Sequence, residues 1–220
     1  MIVTVGHEKG GCGKTTTATN LAVWLARSGA DVLLVDADRQ LSATHWAAVR
    51  ADDPRVPAVR CVQATGNISS TLRDLDKRYE HVVVDCGGRD SLELRSALLV
   101  SSWLLAPVRP SQLDLWAVAH LDEIVAAAKA LNPRLRACAV LALVPTNVKV
   151  KEGQGARELI TAQRELALLD VIIHDRKAYR DAIVGGWSVL EMDDKKAAAE
   201  AAQLAGAIYG DVQVRTAAAV

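Results

Sequence analysis

The sequence predicts an α/β protein whose mostly parallel, twisted sheet carries helices on both faces. Short apolar runs rich in β-branched residues alternate with longer amphipathic runs along the chain, and strands joined by crossover helices pair in parallel. Two of the short runs, VLLVD ending at Asp36 and HVVVD ending at Asp85, are almost continuously apolar, as strands buried on both faces are. In order, strands are expected at 2–5, 31–35, 58–62, 81–84, 103–108, 137–144 and 168–173. Helices are expected between them at 14–28, 42–50, 68–78, 91–100, 113–131 and 155–166, and a last one at 193–209. No internal repeat, low-complexity linker or second core interrupts this pattern, so residues 1–210 are expected to form a single domain and 211–220 a short tail.

A chain of 220 residues has room for one such domain and little more. Half of it is hydrophobic, a quarter is charged and there is no Phe, so the core must be built from Val, Leu, Ile, Ala and a few Trp. Lys plus Arg equal Asp plus Glu at 26 each, so nucleic-acid binding would need a local basic patch. Cys12, Cys61, Cys86 and Cys138 form no CxxC pair and read as reduced thiols. No charged leader precedes a long apolar run, and the longest apolar stretch, 97–108, is broken by serines and Pro107, too short to cross a bilayer. A cytoplasmic protein is expected.

Between the first strand and the first helix stands KGGCGKTT, Lys9 to Thr16. A loop that wraps an anion closely needs positions without side chains and with freedom to take positive φ, which Gly10, Gly11 and Gly13 supply. Its backbone N–H groups and the positive end of the following helix then attract phosphate. Lys14 offers a charge to the β- and γ-phosphates, and the Thr15 hydroxyl is placed for Mg²⁺. With a strand before it, a helix after it and the GKT at its end, this is a P-loop. Lys9, Gly10, Gly11, Cys12, Gly13, Lys14, Thr15 and Thr16 are its candidate nucleotide-binding residues, for ATP with Mg²⁺. Acids should complete the site at the carboxyl ends of neighbouring strands, where open α/β sheets bind ligands. Asp36 and Asp38 stand at the end of one buried run and Asp85 at the end of the other.

The additional lysine at the head of the loop makes it resemble the deviant Walker A loop, KGGxGKT[ST], of the ParA/MinD superfamily. DADRQ resembles that family's DxDxQ motif, Pro107 to Ala117 (PVRPSQLDLWA) its PVxPSxLD segment, and Ala178 to Asp193 (AYRDAIVGGWSVLEMD) its closing AYxEAxxxGxSVxE stretch. The match is best with the small plasmid-partition ParA proteins that lack a helix-turn-helix domain, which the position of the loop at residue 9 also leads one to expect here. The resemblance implies that Lys9 reaches across a dimer interface to the partner's phosphates, with an effect like that of an arginine finger. It further implies that Asp36 supports the Mg²⁺ shell, that Asp38 orients the attacking water and that Asp85 is the Walker B acid. Asn147 falls where relatives approach the adenine ring. His7-Glu8 before the loop and CGGR after Asp85 depart from the family's usual residues.

The implied function is an ATP-dependent homodimeric switch that binds DNA nonspecifically, is nucleoid-associated, and positions a plasmid, chromosome or protein cargo. A ParB-like or other cargo adaptor would stimulate its hydrolysis. From 145 to 180 seven Lys/Arg face five Asp/Glu, a surplus of two. Arg176, Lys177 and Arg180 with Lys195 and Lys196 are the best candidates for DNA contact, doubled in a dimer. The alternatives are a MinD-like membrane-patterning ATPase and a metabolic ATPase of the nitrogenase iron-protein type. The tail GDVQVRTAAAV lacks a basic amphipathic face for the first, and Cys86 and Cys138 lie in no matching cysteine motif for the second.

Overall fold

A computed structural model describes residues 1–88, 90–146 and 152–210, and the side chains of 112–115 and 152–154 are not described. The element order is β1 (Ile2–Val5), α1 (Lys14–Arg27), β2 (Val32–Ala37), α2 (Ser42–Ala51), β3 (Arg60–Gln63), α3 (Ser69–Asp76), β4 (His81–Cys86) and α4 (Leu92–Leu98). It continues with β5 (Trp103–Val108), α5 (Gln112–Leu131), β6 (Arg136–Val144), α6 (Glu152–Thr161), β7 (Ala167–His174), α7 (Lys177–Val184), a 3-10 turn (Val189–Glu191) and α8 (Lys195–Tyr209). The seven strands form one sheet in the order β3-β2-β4-β1-β5-β6-β7, with every pair parallel.

The continuous apolar runs follow from where the sheet sits. Ile2, Leu33, Val35, Val82 and Val84 pack on one face against α3, α4, α5 and α6. Their alternates Val3, Val5, Leu34 and Val83 pack on the other against α1, α2, α7 and α8. Because successive side chains point to opposite faces, a strand covered by helices on both sides must be apolar at every position. Edge strand β3 lacks this cover, and Arg60 and Gln63 are exposed.

Three elements depart most from the sequence expectation. Helix α7 and the 3-10 turn occupy the AYRDAIVGGWSVLE stretch, where no element was expected. The helix expected at 155–166 runs over Glu152–Thr161 instead, and Leu166, now ahead of β7, is buried by the core. The expected tail lies outside the described residues.

Candidate functional site

Parallel strand order puts the carboxyl ends of β1, β2 and β4 side by side. Val5 is in register with Asp85, and Asp85 with Asp36. The phosphate loop springs from β1 beside them. Gly11 and Gly13 adopt φ of 71° and 93°, a left-handed backbone that residues with a Cβ rarely take. Helix α1 begins at Lys14 directly after Gly13, so its unpaired first-turn N–H groups stand at the loop. The Lys9 backbone is fixed from several sides. Its carbonyl accepts from Lys14 Nζ at 2.6 Å and from Cys12 Sγ at 3.3 Å, and its N–H donates to His7 Nδ1 at 3.0 Å. The unusual His7 thus serves the loop from a fully buried position.

Asp85 is buried, and its Oδ2 accepts from Thr15 Oγ1 at 2.6 Å. Its Oδ1 is buried with no hydrogen-bond partner among the described residues. Burial pushes its pKa up to about 7; the Thr15 bond opposes that, and the neighbouring Asp36 charge adds to it. A buried carboxylate with one spare oxygen beside a hydroxyl suits a hard divalent cation. Asp36 is differently employed. Its Oδ2 accepts from the Thr44 N–H at 2.7 Å and hydroxyl at 2.9 Å, and its Oδ1 from the Asp38 N–H at 3.1 Å. It therefore holds the first turn of α2 and the base of the Asp38 loop. Asp38 is half-buried and faces the turn after β4: a Cβ on Gly87 would lie 3.1 Å from its carboxyl. At Gly88 a Cβ would come within 2.8 Å of Gly10 N, so this turn lies directly on the phosphate loop.

A cleft of about 1550 Å³ opens over the loop, bordered by Lys14, Thr15, Asp38, Gly88 and Arg109. An apolar cavity of about 280 Å³ adjoins it, walled by Leu21, Tyr179 and Leu204; Gly13, Thr16, Leu143, Asp175 and Arg180 line both spaces. Leu143 has φ of 55°, unusual for a leucine, at an irregularity in the β6–β7 pairing. Sequence reasoning missed this cavity, since its walls come from α1, β6, α7 and α8, far apart in the chain. Asn147, expected near the base, lies outside the described residues.

The unusual Glu8 approaches His120 of α5, with Oε1 3.2 Å from Nε2. Asp90 Oδ2 lies 3.8 Å from the same nitrogen, and the Asp90 carboxylate accepts from Arg95 Nε at Oδ1 and from Arg95 Nη2 at Oδ2. Phosphate loop, β4–α4 turn and α5 are thereby tied together.

The five cations expected to meet DNA are not equally placed. Arg176 is largely buried and donates to Glu200 at 2.6 and 3.0 Å. Lys177 pairs with Asp181 one turn on, and Arg180 pairs with Asp175 at the rim of the cleft. Lys195 and Lys196 are exposed at the start of α8. Cys86 and Cys138 are buried thiols whose pKa burial pushes up, poor ligands for a cluster shared between subunits. No helix among the described residues is long and apolar enough to cross a membrane.

Residues 3–188 match the family model described as the CobQ/CobB/MinD/ParA nucleotide binding domain. The chain is 33% identical over 193 residues to the maintenance of carboxysome distribution protein A of Halothiobacillus neapolitanus, covering 86% of each. It is 26% identical over 196 residues to Protein ParA of Rhizobium radiobacter, covering 89% of this chain and 87% of the relative. Among solved structures, the septum site-determining protein MinD of Pyrococcus horikoshii, complexed with Mg-ADP, superposes with a TM-score of 0.74 at 17% identity and 99% coverage of both chains. Apo McdA of Cyanothece superposes with a TM-score of 0.73 at 17% identity, covering 92% of this chain and 98% of that one.

Proposed function

The chain belongs to the CobQ/CobB/MinD/ParA nucleotide-binding family and is an ATPase using ATP with Mg²⁺, and from that premise we propose that it is a dimeric ATP switch that positions a cargo on DNA. The observation that carries this reading is the contrast between the loop's two lysines. Lys14 is drawn into its own loop and lines its own cleft, whereas Lys9, with its backbone pinned, is not among the residues lining that cleft. A cation held at the loop but not bordering its own phosphate cleft is suited to a second subunit's nucleotide. Thr15 and Asp85 would hold Mg²⁺, which supplies charge neutralisation at the phosphates, with Asp36 acting on this shell only through the Asp38 loop. Asp38, beside the β4–α4 turn, would position the attacking water. The base would enter the apolar cavity beyond Gly13 and Thr16.

A relative named for the maintenance of carboxysome distribution aligns over 86% of this chain and 86% of its own, which supports cargo positioning rather than one-step metabolism. DNA contact falls first on Lys195 and Lys196, because Arg176, Lys177 and Arg180 are partly neutralised by their own acids; two subunits would double so small a patch. The test is light scattering with ADP and with a non-hydrolysable ATP analogue. Monomer is expected with ADP and dimer with the analogue, and Lys9→Ala should weaken the dimer. Equal mass in both nucleotide states would overturn the switch. Duplex DNA and anionic vesicles, offered to the analogue-bound protein, then separate DNA positioning from membrane patterning.

A further inference from the structure

Arg109 follows β5 at the carboxyl edge of the sheet, beside the phosphate loop, and borders the phosphate cleft. It is exposed, and a Cβ on Gly11 would lie 3.5 Å from its Nη2 and 4.0 Å from its Cζ, so the guanidinium lies over the middle of the loop. Most other arginines near the site are engaged: Arg95 with Asp90, Arg176 with Glu200, Arg180 with Asp175. Arg109 has neither an ion pair nor a hydrogen bond to any described residue. Its backbone is constrained as well, because the following Pro110 disfavours a helical conformation at Arg109. An unpaired, planar, permanently charged fork above a phosphate loop matches phosphate oxygens.

The direction of the nucleotide follows from the two adjoining spaces. The apolar cavity opens at Gly13 and Thr16, on the α1 side of the loop. A nucleotide with its base there runs its phosphates back along the loop, through Lys14 toward Gly11 and Gly10, so its last phosphate is the one nearest Arg109. We propose that Arg109 binds the terminal phosphate of the nucleotide held by its own subunit and stabilises the charge that grows on it during hydrolysis, a role additional to that of Lys9 and Lys14. This rests on the ATPase reading above.

The test compares wild type, Arg109→Ala, Arg109→Lys and Lys14→Ala for affinity toward Mg-ADP and a non-hydrolysable Mg-ATP analogue, and for ATP turnover. Removing a charge-assisted bond to the last phosphate should weaken the analogue by about 10-fold or more. ADP affinity should change less than about twofold, and turnover should fall by at least the factor lost for the analogue. Arg109→Lys should regain affinity more than turnover, since a point charge replaces the fork. Thermal midpoints should stay level, because the side chain is exposed and unbonded. Unchanged affinities and turnover in Arg109→Ala, or equal weakening of ADP and analogue, would overturn the assignment while Lys14→Ala still abolishes binding. Intact nucleotide binding in Lys14→Ala would instead remove the ATPase reading itself.

Discussion

At the scale of single residues, Asp85 holds the most consequence. Its carboxyl ordinarily titrates near pH 4 in an unfolded chain, but burial raises it to about 7 in the folded one. Between these values the folded chain keeps a proton that the unfolded chain has lost. Stability from this group therefore rises as pH falls through 7, and the gain is complete near the unfolded pKa. With divalent ions chelated, the thermal midpoint should be higher at pH 6 than at pH 8 by more in wild type than in Asp85→Asn, which cannot titrate. The same proton competes with Mg²⁺, so Mg²⁺ affinity should fall over that interval. Identical pH dependence of melting in both proteins would show that Asp85 is ionised throughout.

At the scale of elements, the turn after β4 couples the acids to the loop. Gly87 leaves room for Asp38, and Gly88 lets the turn press on Lys9 and Gly10, where a Cβ would stand 3.0 Å from Lys9 C and from Gly10 Cα. Contact with backbone leaves no flexible side-chain end to move aside. Gly88→Ala should cost about 1–3 kcal/mol of stability and, by displacing the loop, weaken Mg-ATP at least about tenfold in a fluorescent-nucleotide titration. Unaltered affinity would mean that turn and loop move independently. Helix α2 is coupled similarly, since Asp36 anchors its first turn.

At the scale of the molecule, the GGWSVLE stretch clamps α1 and α2 together from the far end of the chain. Arg50, 1% exposed, donates to Glu191 at 2.7 and 2.9 Å and to Gly186 O at 3.0 Å. Trp46 Nε1 donates to Trp187 O, and Asn20 Oδ1 accepts from Ser188 Oγ and the Val189 N–H. Gly186 takes φ of 68°, and a Cβ there would strike Arg50 N at 2.5 Å. Removing one member of a buried pair strands the other, so Glu191→Ala should lose about 3–5 kcal/mol in urea denaturation. Replacing both, as Arg50→Met with Glu191→Leu, should recover much of that loss. If Glu191→Ala unfolded at the wild-type midpoint, the clamp would be incidental to stability.

The order of strands and helices, the phosphate loop and the acids after β2 and β4 were legible in the sequence, because each depends on local rules. Burial on both faces makes a run continuously apolar, left-handed turns select glycine, and ligands gather at strand ends. The small helix α7 was not legible, since its stability comes from burying Ala178, Tyr179 and Ala182 in the core, with Tyr179 donating to Ala197 O of α8, rather than from its own short sequence. For the same reason SVLE could be matched to a family pattern without its purpose as a clamp being visible. Tertiary structure alone decided which charges are spent internally. Arg176 and Arg180 look like free cations in the chain, but Glu200 and Asp175 reach them only after folding. It alone brought Arg109 over Gly11 and opened the cavity behind Gly13, because electrostatics and packing act through distance in space, and sequence spacing fixes that distance only within a single element.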